Sequence, residues 1–195
     1  MEKTAYFVGI PFLLLRMSNP LVRAIVRTKF QLTSREQASQ VIRTKADAYL
    51  SLAERTKEEQ GATSVTVPAM IGVDPEMRSW SFFQILEHNA IVNRSIAAIV
   101  KALALGEEPS GAALINPKTD VLPKGVSGPE QIAVFKSSVD DYLADLAALQ
   151  SLRGTSERPH PLFGSFDAHQ WHCMFGFHLN LHLRQAEKVI SQLGR

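Results

Sequence analysis

Four long stretches of the chain repeat their apolar residues every three or four positions, and this helical period restricts the fold more than any other feature. The repeat is most regular between residues 132 and 149, where it comprises Ile132, Phe135, Val139, Tyr142, Leu143, Leu146 and Leu149. No stretch alternates polar and apolar residues over a length that would indicate a β-strand. The chain is therefore predicted to be all-α.

Capping residues and helix-stopping glycines set the expected ends of the four helices. The predicted ranges are 34–60, 80–105, 127–154 and 167–193. Ser79 is the expected N-cap of the second helix, and Ser127 is the expected N-cap of the third. Each helix has one apolar face, so each needs a neighbour to cover that face.

Four such helices cover one another most economically as a four-helix bundle. The connection 106–128 is rich in proline and glycine, has no period, and is long enough to run the length of the bundle or to cover a site. The second and third helices can then run parallel. The predicted topology is up-down-down-up.

The first thirty residues form a separate N-terminal segment, so the expected organisation is a segment over 1–30 and a bundle over 31–195. Residues 5–15 are an apolar run of about half the ~20 residues that cross a bilayer. Asn19 and Pro20 then begin a short basic amphipathic helix to Phe30. Such a helix can lie on an anionic membrane surface, but we expect it to pack on its own domain or on a second copy in a homodimer, without stable membrane insertion.

Charge and cysteine content exclude several classes of protein. The net charge of +2 on 195 residues is far below the excess that nucleic-acid binders use against phosphates. The single cysteine, Cys173, allows no intrachain disulfide, which indicates a reducing compartment and a cytoplasmic location. A soluble protein acting on a small molecule is the class that remains.

Three of the six histidines lie on the apolar faces of two predicted helices. His178 and His182 are one turn apart on the fourth helix, a spacing that lets one metal ion bind both imidazoles, and His88 faces inward from the second. Burying imidazoles without partners costs free energy, and a shared cation satisfies all three. The pattern therefore predicts a three-histidine metal site. The alternative is a set of hydrogen-bonded core histidines.

Polar residues near the predicted metal site, and the other histidines and the cysteine, are expected to have supporting or structural roles. Gln84, Ser95 and Gln185 lie near the two inward faces and are candidates for orienting the imidazoles or the substrate, or else are ordinary polar residues at a wet bundle end. The other three histidines and the cysteine are interpreted as follows: His169 at the surface, His172 on a flank, His160 fixing a turn between two prolines, and Cys173 as a packed small hydrophobe.

Four local motifs resemble the DinB-like superfamily of metal-binding four-helix bundles, which includes bacterial thiol-dependent S-transferases. They are Trp80-Ser81 leading to His88, His160-Pro161-Leu162-Phe163-Gly164, Gln170-Trp171, and the run from His178 to Gln185. The resemblance covers residues 34–193 and leaves the first thirty outside. It implies that His88, His178 and His182 bind a divalent metal, which would be nickel, zinc or iron(II).

Three neutral ligands leave a coordination position for water or substrate, as catalytic sites do. We expect the reactive group to be water or a thiolate on the ion, because no carboxylate is predicted to face inward. The leading hypothesis is a metal-dependent thiol S-transferase using a low-molecular-weight thiol, with a hydrolase ranked second. The alternatives are a non-catalytic bundle that binds metal or dimerises, and a haem protein with His88 opposite one histidine of the fourth helix.

Overall fold

The computed structural model describes residues 19–114, 116 and 119–194, and its regular structure is almost entirely helical. Two 3₁₀ turns cover Pro75–Met77 and Gly111–Leu114, and two short strands form an antiparallel hairpin. The α-helices are α1 (Pro20–Leu32), α2 (Arg35–Glu54), α3 (Glu58–Ala62), α4 (Phe82–Leu105), α5 (Glu130–Ala148) and α6 (Ala168–Leu193). The strands are β1 (Arg158–His160) and β2 (Gly164–Phe166).

Contacts along α2, α4, α5 and α6 define a four-helix bundle with the predicted topology. Helices α2 and α6 run parallel, and so do α4 and α5, because residues early in one helix contact residues early in the other. Helices α4 and α6 run antiparallel, as do α2 and α5. The contacting pairs are Ser39–His172, Tyr49–Leu179, Asn93–Ser138, Lys101–Asp145, His88–His182 and Tyr49–Phe135. The all-α, up-down-down-up prediction is confirmed.

Three predicted helix ends differ from the structure. Helix α4 begins after Ser81 instead of Ser79, because the Ser81 hydroxyl and the Gln84 amide form a reciprocal capping box. Helix α2 ends at Glu54, and the short α3 follows it. Helix α5 ends at Ala148, six residues before Gly154, where the Arg35 guanidinium donates hydrogen bonds to the carbonyls of the last turn.

The predicted cap of α5 is also wrong. Pro129 precedes the helix without a side-chain cap, and the Ser127 hydroxyl instead donates to the Glu87 carboxylate on α4. Lys124 donates its backbone N–H to the same carboxylate. These hydrogen bonds to Glu87 therefore hold the end of the connection 106–128 against the N-terminal part of α4.

The hairpin β1–β2 was not expected, because strands of three residues are too short to show alternation. It packs on the start of α6 through Phe166, which contacts the Trp171 ring. Helix α1 covers the hairpin from outside: Phe30 packs on Phe166, and Arg27 donates to the Ser165 carbonyl. Over the described residues, none of the helices combines the length and the apolar character that crossing a bilayer requires.

Two histidines, His169 and His172, were wrongly assigned because neighbouring segments cover a second side of α6: the end of α1 at His169, and α2 and α5 at His172. His169 and His172 are fully buried, although they lie off the main apolar face of α6. The His169 ring lies against the Phe30 and Thr33 carbonyls, and the His172 ring contacts the Tyr142 hydroxyl at 2.7 Å. The chain from α1 into α2 covers this second side of α6, so the helix is buried over more than one face.

Candidate metal centre

The two helices that carry the inward histidines bring them to one point inside the bundle. His88 lies two turns into α4, and His178 and His182 lie on successive turns of the antiparallel α6. The Nε2 atom of His88 is 3.2 Å from Nε2 of His178 and 3.2 Å from Nε2 of His182. One ligand atom from each residue falls within 4.8 Å of the others. The structure therefore brings together all three residues predicted from the sequence.

Outer hydrogen bonds fix which nitrogen of two imidazoles carries the proton. Nδ1 of His88 is 2.7 Å from the Val121 carbonyl, which only accepts. Nδ1 of His182 is 2.8 Å from Oε1 of Gln185, whose amide nitrogen donates to the Met77 carbonyl. Both Nδ1 atoms must therefore donate. In the neutral rings, both Nε2 atoms then turn lone pairs toward the common point.

Burial keeps these rings neutral. Desolvation, with the neighbouring His182, lowers the pKa of His88 to about 3, and desolvation lowers the pKa of His182 to about 4. Desolvation also lowers the pKa of His178 well below its ordinary value, and the nearby His182, His88 and His160 add to the effect. At neutral pH the group therefore offers lone pairs in the form that binds metal.

The donor set fits a divalent cation. Two lone pairs facing each other at 3.2 Å repel one another and cannot form a hydrogen bond, whereas a cation between them attracts both. Nitrogen ligands at 2.0–2.1 Å in tetrahedral geometry are separated by about 3.3 Å. The described part of the chain has no other group of three or more His, Cys, Asp or Glu residues with this convergence. This three-histidine group could hold a metal ion.

His178 differs from the other two histidines of the group because its outer nitrogen has no partner. Nδ1 of His178 is buried without a hydrogen bond, while the corresponding atoms of His88 and His182 each have one. An unsatisfied buried polar atom costs free energy in folding. His178 therefore lacks the outer hydrogen bond that orients each of the other two rings.

The three polar residues predicted near the site have different positions. Gln185 is fully buried and orients His182, as described above. Gln84 does not contact an imidazole, because its amide serves the Ser81 capping box and donates to the Gly125 carbonyl. Ser95 is buried two turns beyond His88 on α4, and no described hydrogen bond links it to the group.

Two further contacts of the centre were not assigned to it from the sequence, although Trp80 belongs to the motif that leads to His88. The Val121 carbonyl comes from the long connection 106–128, so this segment does cover the site, but a backbone oxygen has no sequence signature. Trp80 is buried beside the centre, with its ring 5.0 Å from that of His88 and stacked at 6.5 Å on that of His182. The signal for Trp80 was its place just before the helix that carries His88.

The remaining histidines and the cysteine lie outside the centre. His160 accepts a hydrogen bond from the Leu162 N–H and packs among aromatic rings, which agrees with its expected role in a turn. Cys173 is buried on α6 near the Phe30 carbonyl, and desolvation raises the pKa of its thiol to about 12. It is a packed residue and not a reactive thiolate.

A comparison with protein-family models identifies the family to which this chain belongs. The model of the DinB superfamily matches residues 42–186, a range that includes α4, α5 and the histidine pair of α6. Comparison with curated proteins and with solved structures returned no match. The family match covers most of the chain and contains all three histidines of the centre, and the chain therefore belongs to the DinB superfamily.

Proposed function

We propose that this protein is a metal-dependent enzyme that uses His88, His178 and His182 as ligands and transfers a low-molecular-weight thiol to a small electrophile. The observation that carries the proposal is the convergence of three Nε2 atoms with 3.2 Å separations from His88. Three protein ligands with room for an exogenous one are typical of catalytic sites. The bound ion supplies a Lewis acid that favours the deprotonated form of a thiol or of water.

The neutral ligand set favours an anion as the exogenous ligand. All three ligands are imidazoles, and the two described outer partners, the Val121 carbonyl and the Gln185 amide, are also uncharged. The positive charge of the ion is therefore not balanced by the protein. A thiolate balances it, and Trp80 beside the rings lowers exposure to water.

The outer hydrogen-bond partners of the histidines favour a transferase over a hydrolase. Hydrolysis benefits from a side chain that moves a proton, usually a carboxylate or a histidine within hydrogen-bond reach. In the described part of the chain, the outer hydrogen bonds of the centre go to a backbone carbonyl and an amide, and neither moves protons. Attack by a thiolate on an electrophile needs no such group.

A haem centre is not compatible with the geometry. Axial ligands lie on opposite faces of a macrocycle, but Nε2 of His88 approaches the Nε2 atoms of His178 and His182 to 3.2 Å each. A porphyrin has no space between them.

The non-catalytic alternative is a bundle in which the same ion only stabilises the fold.

Metal loading and thiol binding test the proposal in sequence. Protein purified without a metal column is dialysed against chelator, reloaded with nickel, zinc or iron(II), and measured for stoichiometry and melting temperature. We expect about one ion per chain and a higher melting temperature. Cobalt-loaded protein is then titrated with a panel of thiols, and a sulfur-to-metal charge-transfer band is the expected result.

The enzymatic step is tested by conjugation of the bound thiol to a fluorogenic alkyl halide. His172→Leu is the matched control, because His172 is a buried histidine of the same helix outside the centre. His182→Leu is expected to abolish metal uptake and conjugation, and the control retains both. Metal uptake without a thiol band or conjugation would favour the non-catalytic bundle, and failure of metal uptake would refute both functions.

A further inference from the structure

Helix α1 has apolar residues on two faces. The inner face packs on the core through Val22, Val26 and Phe30. The outer face consists of Leu21, Ile25 and Leu32, which are 67%, 58% and 80% exposed, and we call these three residues the outer stripe. Single exposed apolar residues also occur elsewhere in the described chain, but here three of them lie on the same side of one helix.

The outer stripe is narrow and has a basic residue beside it. At 100° per residue, its three side chains fall within about 40° of arc, and Lys29 lies about 60° from their centre. Lys29 is exposed, and α1 contains no acidic residue. The stripe therefore combines apolar side chains with positive charge on the side away from the protein.

The helix that presents the outer stripe is anchored to the bundle. Arg27 donates to the Ser165 carbonyl of the hairpin, and the Arg153 guanidinium donates to the Gln31 carbonyl near the end of α1. Phe30 is buried in the core. The exposure of the stripe is thus a property of a packed helix and not of a frayed chain end.

The sequence around α1 is basic and apolar, in contrast to the rest of the chain. Residues 1–30 contain five basic side chains and one acidic one, and the other residues carry a net charge of −2. Eleven apolar residues, 5–15, precede α1 and lie between Lys3 and Arg16. Apolar side chains together with Lys and Arg are the combination that binds the surface of anionic membranes.

We propose that the outer stripe and Lys29 dock on the surface of an anionic lipid bilayer, with α1 lying in the interface and the bundle outside it. Charge complementarity favours lipid over a second copy of the chain. In a twofold dimer through this face, the basic segment would meet its own copy. Three side chains also fall short of the roughly 800 Å² per partner that a stable dimer buries.

Vesicle sedimentation tests this proposal on the full chain. We expect the protein to bind vesicles of phosphatidylcholine with phosphatidylglycerol, to bind pure phosphatidylcholine weakly, and to be released by high salt. The triple variant Leu21→Gln, Ile25→Gln, Leu32→Gln is expected to lower the partition coefficient at least about tenfold. Lys29→Glu is expected to lower it about fivefold on anionic vesicles only.

A matched control uses exposed leucines elsewhere. Leu105 and Leu114 are 53% and 60% exposed, and the double variant Leu105→Gln, Leu114→Gln should bind as the wild type does. Circular dichroism and melting temperature verify that the variants are folded. Metal-free and metal-loaded protein should bind alike, which separates this test from the proposed function.

Several results would overturn the proposal. Wild-type protein that does not bind anionic vesicles is one, and binding that the triple variant retains is another. Light scattering could show a dimer in lipid-free solution that the triple variant converts to a monomer, which would assign the outer stripe to a second copy. A chain without residues 1–18 that fails to bind, beside a triple variant that binds normally, would assign binding to those residues instead.

Discussion

Replacing Gln185 by leucine should weaken metal binding without removing a ligand. The Gln185 amide accepts from Nδ1 of His182 at 2.8 Å and donates to the Met77 carbonyl at 2.7 Å. Leucine has a similar volume but makes neither bond, so the His182 ring loses the group that orients it. Loss of such an outer partner lowers metal affinity about 10- to 100-fold, or about 1.4 to 2.7 kcal/mol.

The same substitution should also destabilise the metal-free protein. It leaves two buried polar groups without partners, the Nδ1–H of His182 and the Met77 carbonyl, at about 1 to 3 kcal/mol each. The expected loss of unfolding free energy is therefore about 2 to 6 kcal/mol, measured by urea denaturation in chelator. Metal affinity is measured separately, by competition with a chromophoric chelator.

Asn93→Leu is the matched control for Gln185→Leu. Asn93 is a buried amide on α4 that donates to the Ser138 hydroxyl and has no contact with the centre. Its replacement should lower stability but leave metal affinity within about twofold of the wild type. The role of Gln185 would be refuted if Gln185→Leu kept wild-type affinity, or if both variants lost affinity equally.

Three further predictions concern stability. Desolvation lowers the pKa of His88 to about 3 and that of His182 to about 4, so both rings stay neutral in the folded protein but take up protons on unfolding once the pH falls below about 6.5. These two groups alone should lower metal-free stability by about 3 kcal/mol between pH 6.5 and 5, and His160, His169, His172 and His178, whose pKa values are also lowered, should add to the loss that urea denaturation measures; constant stability across that interval would contradict neutral burial. His178→Leu should raise the melting temperature of the metal-free protein, because it removes an unpartnered buried nitrogen, and should abolish the rise caused by metal; a lower metal-free melting temperature would contradict this. Gly61→Ala should cost about 1 to 3 kcal/mol by urea denaturation, because the new Cβ would lie 2.5 Å from Cζ of the buried Phe83, and an unchanged midpoint would contradict that packing.

The fold and the convergence of the three histidines could be predicted because both depend on helical periodicity. The i, i+4 spacing places His178 and His182 on one side of α6 whatever its neighbours are, and the apolar face of α4 points His88 inward. Because the antiparallel helices α4 and α6 pack against each other, the three rings then meet. The period alone was sufficient for this part of the site.

The parts that sequence could not predict depend on contacts between distant segments. His169 was expected at the surface, and it is buried because α1 packs over a second side of α6. The outer partner of His88 is the Val121 carbonyl, and a backbone oxygen is independent of residue type. Gln84 was expected near the imidazoles, but the cap at Ser81 uses its side chain first.

X-ray absorption at the metal edge of protein loaded with one equivalent of zinc or nickel would show whether His88, His178 and His182 bind one ion. We predict three imidazole nitrogens at about 2.0 to 2.1 Å with at least one exogenous ligand, which becomes sulfur when a thiol is added. His182→Leu should remove this signature. A spectrum with fewer than three imidazoles, or a chain that takes up no stoichiometric metal, would contradict the three-histidine centre.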